Sequence, residues 1–180
     1  MLTLAVQKSG RLSEKSTGLI RDCGIIFENG DSASLKSSAV NFPLQVLYLR
    51  DDDIPECISD GIADAGIAGE NVFAEKDKTL TLCERLGFAR CRLSIAVPRE
   101  SNYESCADLN GMNIATSYPN ILRKFLDDNK IQAFIHEISG SVEIAPGIGM
   151  AEAVFDIVSS GSTLISNGLK EVETVMHSEA

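Results

Sequence analysis

Along this chain, short apolar runs that end in Gly, Ser or Asp turns alternate with segments whose apolar residues recur at helical spacing. Few folds accept that alternation, because each strand must be followed by a helix that covers the sheet. An α/β fold with a largely parallel sheet is therefore expected. Leu2–Gln7 reads as a strand and ends in the polar turn Lys8-Ser9-Gly10-Arg11. A helix should follow, with Ser13 as N-cap, Leu12, Leu19, Ile20 and Cys23 at helical spacing, and Gly24 as its stop. Residues 25–27 look extended and lead into a polar stretch over 29–38. Leu44–Leu49 is the next strand, ending at Arg50-Asp51-Asp52-Asp53. A short helix over Ile54–Ser59 then runs to Gly61, a strand covers 63–68, and Gly69-Glu70-Asn71 makes a turn.

The pattern sharpens after residue 90. Cys91, Leu93, Ile95 and Val97 alternate with polar or small residues, as in a strand buried on one face. Asn113–Thr116 is a strand, and Pro119 suits the first turn of a helix. In that helix Ile121, Leu122, Phe125 and Leu126 form one stripe, opposite Arg123, Lys124, Asp127 and Asp128. Residues 131–138 read as strand, 149–153 as helix, 154–158 as strand and 162–167 as a helix closed by Gly168. Residues 62–72 also overlay on 154–164: both read apolar-x-Asp, short strand, then Gly before a helix. This repeat implies two related lobes, residues 1–89 and 90–180, with a cleft between them.

Composition removes several function classes. A length of 180 residues allows one domain or two small lobes, and 44% hydrophobic with 23% charged residues describes a globular chain. A net charge of −10 argues against a broad nucleic-acid surface. No apolar run approaches the roughly 20 residues that cross a bilayer, so no membrane role is expected. The start MLTLAVQKSGRL lacks a basic leader with an apolar stretch behind it, so a cytoplasmic location is the expectation. Five cysteines (Cys23, Cys57, Cys83, Cys91, Cys106) form no Cys-x-x-Cys pair, which suits reduced thiols. His136 and His177 stand apart from any cysteine cluster, so no protein metal-ligand set is expected.

Three turns carry candidate chemistry. The most informative is Asp156-Ile157-Val158-Ser159-Ser160-Gly161-Ser162-Thr163-Leu164, a strand running through a Ser/Gly/Thr turn into a helix. Gly161 permits close backbone approach to an anion, Ser159, Ser160, Ser162 and Thr163 add hydroxyl donors, and Asp156 can receive sugar hydroxyls. An ordinary serine-capped helix is the bland alternative. Lys8 and Arg11 place two cations at a second strand-to-helix turn, fit for a pyrophosphate or for solvent. Arg50 and the three aspartates mark a third strand end, where a solvated surface is the commoner outcome. Gly147-Ile148-Gly149 has Glu152 in place of the third glycine of a dinucleotide fingerprint, and no histidine stands beside a serine or cysteine motif. Dinucleotide binding and nucleophilic catalysis are therefore not indicated.

Together these segments resemble the ATP phosphoribosyltransferase family. The stretch EIAPGIGMAEAVFDIVSSGSTL at 143–164 follows that family's signature: Glu, then Gly with a small residue, apolar-x-Asp-apolar, and Ser/Thr-Gly-x-Thr-Leu. QKSGRL, RDDDIP, the GEN turn, CRLS and ATSYP with its basic amphipathic helix extend the resemblance over nearly the whole chain. It implies a two-lobed architecture like that of type II periplasmic binding proteins, with a central cleft. The implied activity is a glycosyltransferase reaction between ATP and phosphoribosyl pyrophosphate, the first step of histidine biosynthesis, aided by Mg²⁺. It implies that Ser159, Ser160, Gly161, Ser162 and Thr163 hold the 5-phosphate and that Glu143 and Asp156 lie near the ribose hydroxyls. Lys8 and Arg11 would face the pyrophosphate or ATP phosphates, with Tyr118 and Arg50 nearby.

Family members assemble as dimers or hexamers, and some recruit a regulatory subunit. They also continue beyond the point where this chain stops, at Ala180, with a segment that returns to complete the first lobe. That lobe is therefore expected to be incomplete here, and feedback inhibition by histidine is not expected of this chain alone. Two rival readings stay open at the level of sequence. One is a non-catalytic cytoplasmic sensor of small molecules on the same scaffold. The other is a phosphoribosyltransferase with a different base acceptor.

Overall fold

The computed structural model describes residues 1–27 and 34–180. It divides into two compact units. The first is Met1–Arg90 with Glu179–Ala180, and the second is Cys91–Ser178. Much of the polar stretch expected over 29–38 lies outside the described residues.

In the first unit β1 (Leu2–Gln7) feeds α1 (Arg11–Asp22), followed by β2 (Lys36–Ser38), β3 (Leu44–Leu49), α2 (Ile54–Ser59), β4 (Ala65–Ile67) and α3 (Glu70–Lys76). The sheet order is β2-β3-β1-β4. β1 pairs parallel with β3 and β4, and β2 is an antiparallel edge. Successive side chains of a strand point to opposite faces. Val6 accordingly packs with Ile20, Leu44 and Val46, while Ala5 packs with Ile54, Cys57 and Ala63. Ser13 does not cap α1. Gly10 does, at φ 94°, and Ser13 lies buried within the helix, because the chain turns as soon as the glycine permits it.

Two positions in this unit are tightly constrained. A Cβ added to Gly66 would lie 2.6 Å from Ile54 Cγ2 and 2.8 Å from Ile58 Cδ1, so α2 sits directly on the backbone of β4. Asp51 opens the 3-10 turn Asp51–Asp53 that leads into α2. Its Oδ1 is the one buried side-chain oxygen without a hydrogen-bond partner among the described residues. Burial, and then the charge of Asp52, push its carboxyl up to about 6.

The second unit contains β5 (Cys91–Pro98), β6 (Asn113–Thr116), α4 (Pro119–Asp128), β7 (Phe134–Glu137), β8 (Ala153–Val158), α5 (Ser162–Ser166) and β9 (Leu169–Ser178). The sheet order is β7-β6-β8-β5-β9. β6 pairs parallel with β7 and β8, whereas β5 is antiparallel to both its neighbours. The expectation of a largely parallel sheet therefore holds for three strands of each sheet, and antiparallel strands complete both. On one face Leu93, Ile95, Ile114 and Phe155 meet Ile121, Leu122 and Leu126 of α4. On the other, Ala96, Val154 and Val158 meet Val142 and Leu164.

Two expectations are corrected here. β5 is not half-buried: Leu93, Ser94, Ile95, Ala96 and Val97 are all buried, because both faces of the sheet are covered. Residues 149–152 are irregular rather than helical, and Ala153 already pairs in β8 beside Ile114. β9 carried no clear strand pattern because it is bulged against β5 in two places. One bulge sets Thr174 opposite Ser94, where the register of Cys91–Leu93 would put Val175, so that Glu173 faces Ile95, and a second sets Glu171 opposite Ala96. Glu173 accepts the Tyr103 hydroxyl at 2.7 Å. The overlaid repeat is also uneven, since Gly69 caps α3 with an extended backbone and Gly161 caps α5 at φ 79°.

After β9 the chain rejoins the first unit. Glu179 C=O accepts the Glu70 amide at 3.0 Å, and Ala180 exchanges hydrogen bonds with Leu86 and Phe88 at 2.8 and 3.0 Å. Glu179 also pairs with Arg90, and Glu70 with Arg85.

Two stability predictions follow from the first unit. Gly66→Ala forces its new methyl into Ile54 and Ile58 and should cost about 1–3 kcal/mol, read from the urea unfolding midpoint. Asp51→Asn should stabilise the fold above pH 7 by about 2 kcal/mol, since a carboxyl raised by roughly two units opposes folding once it ionises. Below the unfolded value near 4 both states carry the proton, so the gain should fade as pH drops from 6 to 4. Thermal melts across that range check the sign.

Candidate functional site

In the first unit, β1 and β3 run parallel and end side by side, tied by the Lys8 amide donating to Leu49 C=O at 2.8 Å. That pairing brings Lys8 and Arg50, which follow the two strands, to one edge of the sheet. Gly10 then turns the chain so that Arg11 opens α1 at the same edge. Lys8, Arg11 and Arg50 are exposed, and none of them belongs to an ion pair among the described residues. Three uncommitted cations at a strand edge attract a polyanion.

In the second unit the carboxyl ends of β6 and β8 share an edge in the same way. β8 runs into Ser159, Ser160 and Gly161, and α5 begins at Ser162. Leu164, buried among Val154 and Val158, anchors the short helix. Ser159, Ser160, Ser162 and Thr163 remain exposed. The Ser160 and Ser162 hydroxyls lie 2.9 Å apart. The φ of 79° at Gly161 makes the sharp reversal that presents them.

Asp156 shares a strand face with Val154 and Val158, two residues to either side. Its Oδ1 accepts the Ile157 amide at 2.7 Å. Burial raises its carboxyl above the usual range, and the charge of Glu143 adds to that, while the Ile157 hydrogen bond pulls the other way. Glu143 lies in the 3-10 turn Val142–Ile144, which Val142 pins into the same core cluster. The structure thus brings Asp156, Glu143 and the 159–163 turn into one neighbourhood. Tyr118 caps α4 at the carboxyl end of β6, its amide bonded to Thr116 Oγ1 at 2.8 Å. Its ring packs against the cluster around Leu122, on the other sheet face from Asp156.

Three residues without an expected role complete this neighbourhood. Arg92 on β5 donates from Nε and Nη2 to the two oxygens of Glu171 at 2.6 Å each, and from Nη1 to Ser159 C=O at 3.3 Å. Ser94 adds a hydrogen bond to Glu171 at 2.6 Å. Arg92, and then Ser94, hold the Glu171 carboxyl below the usual range. The available signal was Arg92 and Ser94 alternating on one face of an otherwise apolar strand, since buried polar side chains require partners.

Among known proteins, the family model described as HisG: ATP phosphoribosyltransferase matches residues 50–180. An ATP phosphoribosyltransferase of Cytophaga hutchinsonii is 63% identical over all 180 residues, which make up 63% of that relative. The chain therefore spans just under two thirds of the length of the curated relatives it matches. The ATP phosphoribosyl transferase (HisG:HisZ) complex of Thermotoga maritima contains a chain that is 27% identical, with a TM-score of 0.85 over 99% of this chain and 85% of that one. A cysteine-binding protein of Campylobacter jejuni, 13% identical, aligns over 100% of this chain and 76% of its own with a TM-score of 0.56, and shares the fold alone. The architecture is that of the type II periplasmic-binding-protein fold. A match across residues 50–180 and 63% identity over the full chain place it beyond fold likeness: the chain belongs to the ATP phosphoribosyltransferase family.

Proposed function

We propose that this chain carries ATP phosphoribosyltransferase activity, joining ATP to 5-phosphoribosyl 1-pyrophosphate to give N1-(5-phosphoribosyl)-ATP and pyrophosphate at the first step of histidine biosynthesis. One observation carries the reading: a Ser-Ser-Gly-Ser-Thr turn with exposed hydroxyls beside Asp156 and Glu143, in a chain of that family. In the reaction adenine N1 forms a bond to the anomeric carbon as the bond from that carbon to pyrophosphate breaks. Positive charge builds on the ribose ring and negative charge on the leaving group, so positioning and electrostatic stabilisation suffice and no covalent nucleophile is needed.

On this reading the 5-phosphate rests on Ser159, Ser160, Gly161, Ser162 and Thr163. Asp156 and Glu143 accept the ribose hydroxyls, and their negative charge stabilises the cationic ring. Lys8 and Arg11, with Arg50, receive the phosphates of pyrophosphate or ATP. Tyr118 takes a supporting place at the end of β6. Mg²⁺ would be held mainly by the substrate's phosphates and not by a protein cage. When bound, Mg²⁺ neutralises charge on the departing pyrophosphate.

Assembly and setting belong to the same proposal. The Thermotoga maritima neighbour is part of a HisG:HisZ complex, which supports a partner subunit for this chain, and a homo-oligomer, dimer or hexamer, with a regulatory subunit belongs to the same reading. A cytoplasmic location belongs to the same reading, on the ground that five cysteines without a Cys-x-x-Cys pair suit reduced thiols. No helix among the described residues is long and apolar enough to cross a membrane.

The test is calorimetric titration of the 180-residue chain with phosphoribosyl pyrophosphate and Mg²⁺, followed by an absorbance assay once ATP is added. Thr163→Ala should weaken phosphoribosyl pyrophosphate binding about tenfold, the loss of one hydrogen bond to a charged group. Gly161→Val should weaken it more, since valine resists a φ of 79°. Wild-type affinity in both folded variants removes the phosphate from this turn.

A further inference from the structure

We propose that Arg92 is a positioning residue for the phosphate turn and that Glu171 acts on the turn through Arg92, an inference that rests on residues 159–163 being that turn. Arg92 stands on β5 in register with Val158, the last residue of β8, just where the turn begins. Three of its N–H groups are committed: two to Glu171 and one to Ser159 C=O. A guanidinium is planar and rigid, so two short bonds to one carboxylate fix the direction of the third donor. Glu171 is itself held by Ser94. The two β9 bulges set Glu173 opposite Ile95, where it meets Tyr103, and Glu171 opposite Ala96, on the strand face of Arg92.

The consequence lies in the peptide plane. In a trans peptide the Ser159 carbonyl and the Ser160 amide point in opposite directions. A donor that holds the carbonyl from the β5 side therefore aims the Ser160 N–H away from β5. On this proposal that N–H serves an anion held by the turn of Gly161, Ser162 and Thr163. A carbonyl that accepts a hydrogen bond also makes the amide of its own peptide a better donor. Arg92 is matched in charge by Glu171, so it serves the anion by orienting an amide and not as its counter-ion.

The experiment titrates phosphoribosyl pyrophosphate with Mg²⁺, and ATP separately, into the wild-type chain, Arg92→Met, Arg92→Lys, Glu171→Gln, the Arg92→Met/Glu171→Gln double variant and Thr163→Ala. Thermal midpoints are recorded beside each titration. Arg92→Met should weaken phosphoribosyl pyrophosphate binding about tenfold, and Glu171→Gln about threefold with no further loss in the double variant. Arg92→Lys, which keeps the charge but not the fork, should not restore wild-type affinity. ATP affinity should stay within about twofold throughout, because the orienting effect is confined to the phosphate turn. Equal losses for both ligands alongside a lowered thermal midpoint would assign the pair a merely structural role and overturn the proposal. If Thr163→Ala weakens binding while the Arg92 variants match wild type, positioning fails and the phosphate turn stands. If Thr163→Ala also matches wild type, the phosphate turn fails and takes this inference with it.

Discussion

Parallel pairing is the constraint on which the rest of this structure depends. Strands that run the same way release the chain at the same edge of the sheet, whatever lies between them in sequence. β1 and β3 therefore deliver Lys8 and Arg50 to one edge of the first unit, although some forty residues separate them. β6 and β8 deliver Tyr118 and the 159–163 turn to one edge of the second. The cores serve the same end. Phe155 and Val154, buried on opposite faces of β8, fix that strand in depth and in register, so the turn beyond it starts from a rigid base.

Much of this was legible because the signals were local. The bounds of β1, β3, α2 and β6 follow directly from short apolar runs bounded by turn residues. The helix after Pro119 declared itself through its stripe of Ile121, Leu122, Phe125 and Leu126. The Ser/Gly/Thr turn was equally plain, as a small-residue run between an apolar strand and an apolar helix position. What escaped was non-local. β9 mixes Val172, Glu173, Thr174, Val175 and Met176 in no regular period, because bulges against β5 decide which of them turns inward. Partner geometry of that kind is absent from either strand taken alone.

The same limit applied to the site. Arg92 and Glu171 are far apart in sequence and meet only because β5 lies between β8 and β9. Neither residue type suggests a ligand in isolation, and together they cancel in charge. The Ser13 cap failed for a different reason: a serine cap competes with any earlier residue that can turn more sharply, and Gly10 could. The Asp51 carboxyl looked like part of a solvated acidic run and instead has one oxygen sealed from solvent, a matter of where α2 begins to pack.

The return of Glu179 and Ala180 to the first unit bears on the order of assembly. The second unit is one unbroken stretch of chain, so all its contacts are available once Ser178 has been made. The first unit, whose strands are synthesised earliest, waits longest. Its amide and carbonyl groups at Glu70, Leu86 and Phe88 find their partners only when the last two of these residues emerge. Closing a loop from Glu70 to Glu179 carries an entropic cost that grows with length, and a folded second unit shortens that loop by holding Cys91 next to Ser178. During synthesis the second unit can therefore close before the first does.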